Sequence, residues 1–257
     1  MKKKSKNLRN MLYPIVALVL FLAAWEMLVW ALDVNPIIIP SPRAIFLTMV
    51  QKIQFIFVSS ANTFLGALGG FLIAFVVAVS LATVFYFSNI LEKSILPFAV
   101  ATRAIPTIAI APVVVLWFGT DALSKTLLSA FAAFFPILIN FTKGLNSVDR
   151  DVIDLMKTYS ATKWQIFIKV RVPYALPDLF VGLKVASSFA VIGAIISEYV
   201  GVTKGIGYLI KSSTYYSETD LTFAGIAAAS FVGMFLYWLV ELVEKRVVYW
   251  GANSRSS

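Results

Sequence analysis

Charged side chains are scarce in this chain, and those that fall inside apolar stretches are the first candidates for chemistry. Glu26 stands beside Trp25 in the apolar run from Met11 to Leu32, Arg103 lies in TRAIPT ahead of Pro106 and Pro112, and Glu198 closes the run IISEYVG. A charge at membrane depth is costly, so each such residue marks a functional candidate by default. Glu26 reads as half of a structural pair or as a protonated hydrogen-bonding group. Arg103 sits where prolines free backbone carbonyls. Either it draws an anion with its planar fork, or it anchors a helix end. Arg103 and Glu198 fall near opposite ends of their spans, which argues against direct pairing and places them in different gates. Asn62, Thr63, Ser187, Ser188 and Ser197 either line a polar path or hydrogen-bond one helix to the next.

The chain has no Cys and no His. That removes thiol catalysis, disulfides, the usual metal ligands and the usual proton shuttle, so no metal site is expected. No Gly-Lys dipeptide occurs. The phosphate-cradling loop GxxxxGK[ST] is therefore absent, and a nucleotide driving this protein must sit on another chain. With no acids clustered at membrane depth, a membrane enzyme is disfavoured and no catalytic residue is assigned.

The elements that must position these residues follow from charge spacing. Of 257 residues 60% are hydrophobic and 14% charged, against about 25% charged in a soluble domain. Ile53 to Leu91 is a charge-free run of 39 residues and Leu221 to Val240 one of 20, with runs of 17 at Ala104–Thr120 and Thr126–Thr142. A span needs about 20 apolar residues. The expected fold is an all-α integral membrane protein with six spans, near 12–32, 60–86, 94–118, 124–142, 177–198 and 221–244. Segment 43–58 mixes polar and apolar residues at helical spacing and is expected to lie along the interface. Before it, IIIPSPR is a proline-punctuated connector. Gly66 and Gly70, with Gly69, predict close helix packing, and Trp117-Phe118 reads as an interfacial anchor.

The basic opening MKKKSKNLRN precedes an apolar run longer than the 7–15 residues of a secretory core, so residues 12–32 are expected to stay as the first span. Of the 22 Lys and Arg, 15 fall inside and five outside if the N-terminus is cytoplasmic, Lys125 being counted in an outer loop. That bias predicts both termini cytoplasmic. It accounts for the net charge of +9 without nucleic acid. The longest inner piece, about 143–176, is too polar to span. Leu155, Met156, Tyr159 and Trp164 give it an apolar side at helical spacing, expected to end before Pro173 and Pro177. It is either a docking element or an amphipathic helix resting on lipid.

This loop resembles the cytoplasmic loop of importer permeases of the ATP-binding-cassette type, whose pattern is Glu-Ala-Ala, three residues, Gly, nine residues, Ile-x-Leu-Pro. Anchored on Pro173, the Glu position is Asp154, the alanines Leu155 and Met156, and the glycine Ser160, followed by Ala161, Lys163 and Trp164. Val170 and Val172 take the Ile and Leu positions. TRAIPTIAIAPVVVLWFGTDALSK, FFPILINFTKGLNSVD and GLKVASSFAVIGAIISEYVG are also similar to the permeases grouped with nitrate, sulfonate, taurine and thiamine-precursor importers. The resemblance covers roughly residues 35–250.

It implies the type I importer permease fold over 12–248, with a basic cytoplasmic segment 1–11 and a cytoplasmic tail 249–257. It implies a pair of such subunits, a homodimer, in a prokaryotic cell membrane, with two ATPase subunits below that bind ATP and Mg and a solute-binding protein above. Asp154, Leu155, Met156, Lys157, Ser160, Ala161, Lys163 and Trp164 would couple to the ATPase. Asp154 is expected to open the coupling helix against its positive end, and Ser160, in place of glycine, to bend the chain less sharply. Asn62, Arg103, Ser187, Ser197 and Glu198 would lie on the translocation path or its gates. The implied solute is small, polar organic or anionic, with FAVIGAIISEYVG leaning toward a thiamine-precursor-like heterocycle. The rival is a self-sufficient ion-coupled secondary transporter, for which Glu26 is the obvious mid-span acid and no internal repeat is seen.

The absence of native cysteine makes the orientation measurable. Single cysteines at Ser41, Thr120 and Thr203 should react with an impermeant thiol reagent in intact cells. Those at Ser88, Ser147 and Ser254 should react only after permeabilisation, and the reverse pattern would invert the topology.

Overall fold

The computed structural model describes residues 2–102 and 104–249, and every regular element among them is helical. Helix α1 (Lys2–Ala31) carries the first span and stands at the edge of the bundle. It touches the rest through Trp25, whose ring lies 5.9 Å from that of Phe223, and through Glu26. Glu26 Oε2 accepts from the backbone N–H of Arg43 at 3.1 Å. It therefore closes the N-terminus of α2 (Pro42–Gln51), together with the side chain of Ser41, which accepts from Ala44 N–H. The polar partner of Glu26 is a helix end, which sequence could not supply.

The expected interfacial helix over 43–58 is corrected. Only α2 is separate. A break at Lys52 (φ −104°, ψ 23°) starts α3 (Ile53–Phe87), which absorbs the remaining residues into 35. Lys52 is held there by Glu218 at 2.7 Å. Between Ile56 and Phe85 the buried positions of α3 are small apart from Phe71: Ser59, Thr63, Gly66, Ala67, Gly70, Ala74, Ala78 and Ala82. This lets α6 (Ala122–Asn146) approach closely. A Cβ on Gly70 would lie 2.3 Å from Ser129 Cβ and 2.5 Å from the carbonyl oxygen of Thr126. The glycine pair thus packs helices within the subunit.

The span expected at 94–118 is two helices, α4 (Asn89–Thr102) and α5 (Thr107–Phe118), bent by 97°. Pro106 precedes α5 and has no N–H to continue the ladder. Among the described residues five unbroken helices are long and apolar enough to cross a membrane, and a sixth crossing is reached if this bent pair counts as one span.

The loop after α6 is mostly helical. It holds α7 (Arg150–Thr158) and α8 (Lys163–Ile166), and a π turn, Phe167–Arg171, leads into α9 (Val172–Val200). The expected stop before Pro173 and Pro177 is not observed: both lie inside α9. Pro173 falls in the first turn, directly after the widened π turn, where a missing N–H is tolerated. α8 and α9 thus form one helical run, Lys163–Val200, of 38 residues, about 57 Å long at the α-helical rise. A further helix, α10 (Ile206–Tyr215), occupies what the sequence suggested was a loop. The last, α11 (Thr219–Val247), packs on α9 and α10, and its Glu244 pairs with Lys184 of α9. The core is the contact of α6 with α3 and α9.

Candidate functional site

Two constellations stand out, one at each end of α9. At its C-terminal end Glu198 is fully buried and Lys125 nearly so, with Nζ 3.0 Å from Glu198 Oε1. Contrary to the outer-loop position expected from the charge count, Lys125 projects from the first turn of α6 into the bundle. Its stem runs over Gly66, where an added Cβ would come within 2.6 Å of Lys125 Cδ. Nζ also donates to the backbone carbonyl of Asn62 at 2.9 Å. Thr63 Oγ1 lies 2.8 Å from Glu198 Oε2 and accepts from Ile206 N–H at 2.8 Å. Gly207 N–H donates to Glu198 Oε2 at 2.9 Å. Four helices, α3, α6, α9 and α10, meet at one carboxylate. A buried pair persists only with further hydrogen bonds, and here Nζ has Asn62 O as a second acceptor while the carboxylate accepts from Thr63 and Gly207.

Sequence reasoning selected Glu198 and Thr63 but not Lys125. The available signal was that Lys125 fell one residue inside the expected span 124–142. Of the other path candidates, Asn62 is half-buried and its amide donates back to Val58 O at 2.8 Å. Ser187 is buried and donates to Lys184 O in its own helix at 2.7 Å, whereas Ser188 is exposed. Ser197 is buried with no hydrogen-bond partner among the described residues. Arg103 lies outside the described residues.

The second constellation is the loop between α6 and α9. α7 begins at Arg150, capped by Asp149, whose carboxylate accepts from Asp151 N–H at 3.0 Å. Asp154 therefore does not open the helix as expected: it is mid-helix, exposed and paired with Lys157 at 2.8 Å. Ser160 has φ +57°, the left-handed conformation that favours glycine. Ala161 N–H reaches Met156 O at 3.0 Å and Ser160 N–H reaches Lys157 O at 2.8 Å. This is the Schellman stop usually built on glycine. The chain turns as sharply as glycine would allow, which corrects the expected gentler bend. Thr162 then starts α8 through a capping box with Gln165.

Val152, Leu155, Met156 and Tyr159 form a stripe along α7, with Leu155 57% and Tyr159 77% exposed. Trp164 is different. It stacks on Phe87 and Phe167, with ring centroids 5.7 and 5.6 Å away. Tyr86 stacks on Phe167 at 4.9 Å and lies under the Arg171 guanidinium, which also donates to Leu145 O. Trp164 thus fastens the loop to α3 as well as facing outward.

A family model described as the binding-protein-dependent transport system inner membrane component matches residues 70–249. The chain belongs to this family. It is similar to the formylaminopyrimidine transport permease protein of Halalkalibacterium halodurans, 30% identical over 93% of this chain and 96% of the relative. The riboflavin transport system permease protein of Chloroflexus aurantiacus is 33% identical over 93% and 90%. A permease protein named for aliphatic sulfonates in Bacillus subtilis is 29% identical over 97% and 90%. The chain is accordingly a multi-pass permease of the cell membrane and not itself an enzyme.

The turn at Ser160 is directly testable. Ser160→Gly should stabilise the detergent-solubilised protein by about 0.5–1 kcal/mol, and Ser160→Val should destabilise it by about 1 kcal/mol or more. Thermal unfolding checks both, and equal midpoints for the two variants would show that the turn is not held in the left-handed conformation.

Proposed function

We propose that this permease is the membrane subunit of an ATP-driven importer that moves a small polar organic or anionic solute inward by alternating access. The observation that carries this reading is the exposed apolar stripe of α7, set on a loop that two caps and an aromatic cluster make rigid. A rigid apolar projection suits a groove on a separate ATPase better than a linker would. In this reading ATP and Mg are bound by two ATPase partners, and Leu155, Met156 and Tyr159 enter the groove. Asp154, Lys157, Ser160, Ala161, Lys163 and Trp164 shape the element. The loop end is cytoplasmic, as are both termini. A second copy of the chain completes the path, and a solute-binding protein delivers cargo at the opposite end.

Relatives named for a formylaminopyrimidine and for riboflavin favour a nitrogen heterocycle as cargo over a sulfonate or nitrate. The ion-coupled alternative gains no support from the acids at the bundle. Glu198 is occupied by Lys125, Thr63 and Gly207, and Glu26 by a helix N-terminus.

Leu155→Asp or Tyr159→Asp places a charge in the proposed contact and leaves the Trp164 cluster untouched. Each should reduce the co-purifying ATPase by about tenfold or more while the chain still inserts. ATPase retained at the parent level in both variants would remove the loop from the coupling role.

A further inference from the structure

The network around Glu198 does more than join α6 to α9. Its carboxylate closes the N-terminus of α10 at Gly207, and Thr63 takes the neighbouring donor at Ile206. Gly205 has φ +118° and approaches so closely that a Cβ there would lie 2.1 Å from Glu198 Oε1. The first turn of α10 is therefore seated on the carboxylate, and Lys125 fixes that carboxylate from α6. Moving α10 away from α9 would leave a buried charge with fewer partners, which is strongly disfavoured.

α10 is also one wall of a cup of about 900 Å³ at the same end of the bundle. Tyr208, Ser212 and Tyr216 face Gln51, Gln54 and Phe55 of the α2–α3 junction across it. Glu198 stands two residues from the end of the 38-residue helical run that starts in the exposed loop at Lys163. The cup wall and the apolar stripe thus lie at the two ends of one rod.

We propose that Glu198 and Lys125 are positioning residues for transport: they fasten α10 to the ends of α9 and α6, so that a shift of the rod at its loop end reshapes the cup. This inference rests on the import reading, in which the cup faces outward and receives the solute. Thr63 is the third member, tying the same turn of α10 to α3.

The test uses the full chain in membranes with a single cysteine at Ser212, inside the cup, and a second series at Ser41 as control. Reaction with a charged, impermeant maleimide is timed. Glu198→Gln and Lys125→Met should each raise the Ser212Cys rate about tenfold, and Thr63→Val, which removes no charge, about threefold. The Ser41Cys rate should not change. With the partner ATPase attached, ATP should alter the Ser212Cys rate in the parent and not in Glu198→Gln. A role limited to folding would not move that response. Should the charge variants fail to insert, Thr63→Val decides alone. Unchanged Ser212Cys rates in every inserted variant would overturn the proposal, as would equal increases at Ser41Cys or an ATP response that survives Glu198→Gln. If no ATPase co-purifies with the parent, the import reading fails while the labelling result still decides whether the pair holds α10.

Discussion

An ammonium and a carboxylate buried among apolar helices must meet each other, and here that requirement organises one end of the bundle. Lys125 reaches Glu198 only because Gly66 leaves room for its stem and Thr63 supplies a hydroxyl beside it. The small stripe of α3 brings α6 close enough for this, and Gly205 brings α10 down onto the same carboxylate. Pairing two charges in a low-dielectric interior adds little net stability over an apolar pair. Removing one partner costs about 3–5 kcal/mol. The pair therefore acts mainly as a constraint on which helices stay together.

The loop end is built by different means. There the chain relies on local hydrogen bonds and aromatic stacking: a left-handed turn at Ser160, a capping box at Thr162 and the stack of Trp164, Phe87, Phe167 and Tyr86. These fix an exposed helix without burying its apolar stripe. Between the two ends α9 runs unbroken, and the pairing of Lys184 with Glu244 fastens it to α11 part-way along. Lys184 and Glu198 are 14 residues apart on that helix, about 21 Å along its axis. A rod held at both levels transmits displacement better than one free to bend.

Much of this was legible in the sequence. The charge-free runs located the spans, and the polar, patterned stretch after Lys143 marked the loop and its apolar side. The family resemblance placed Ser160 at a glycine position, and its left-handed backbone agrees with that placement. What failed was non-local. Lys125 looked like a loop charge because its partner lies 73 residues away in sequence. The sequence of α10 reads as a loop because its N-terminus is capped by side chains of α3 and α9 and it offers no strong start signal of its own. The break between α4 and α5 had its proline signal, but a charge-free run suggested continuity. The cap role expected of Asp154 belongs to Asp149, since spacing fixes a motif's register and not where its helix begins.

The central claim is that Lys125 and Glu198 act as a unit. A double-mutant cycle with Lys125→Met and Glu198→Leu, read by unfolding of the detergent-solubilised chain, tests it most directly. Each single variant should lose about 3–5 kcal/mol. The double variant should recover at least about 2 kcal/mol of the summed loss. Losses that add to within about 0.5 kcal/mol would contradict the account, because independent side chains behave that way.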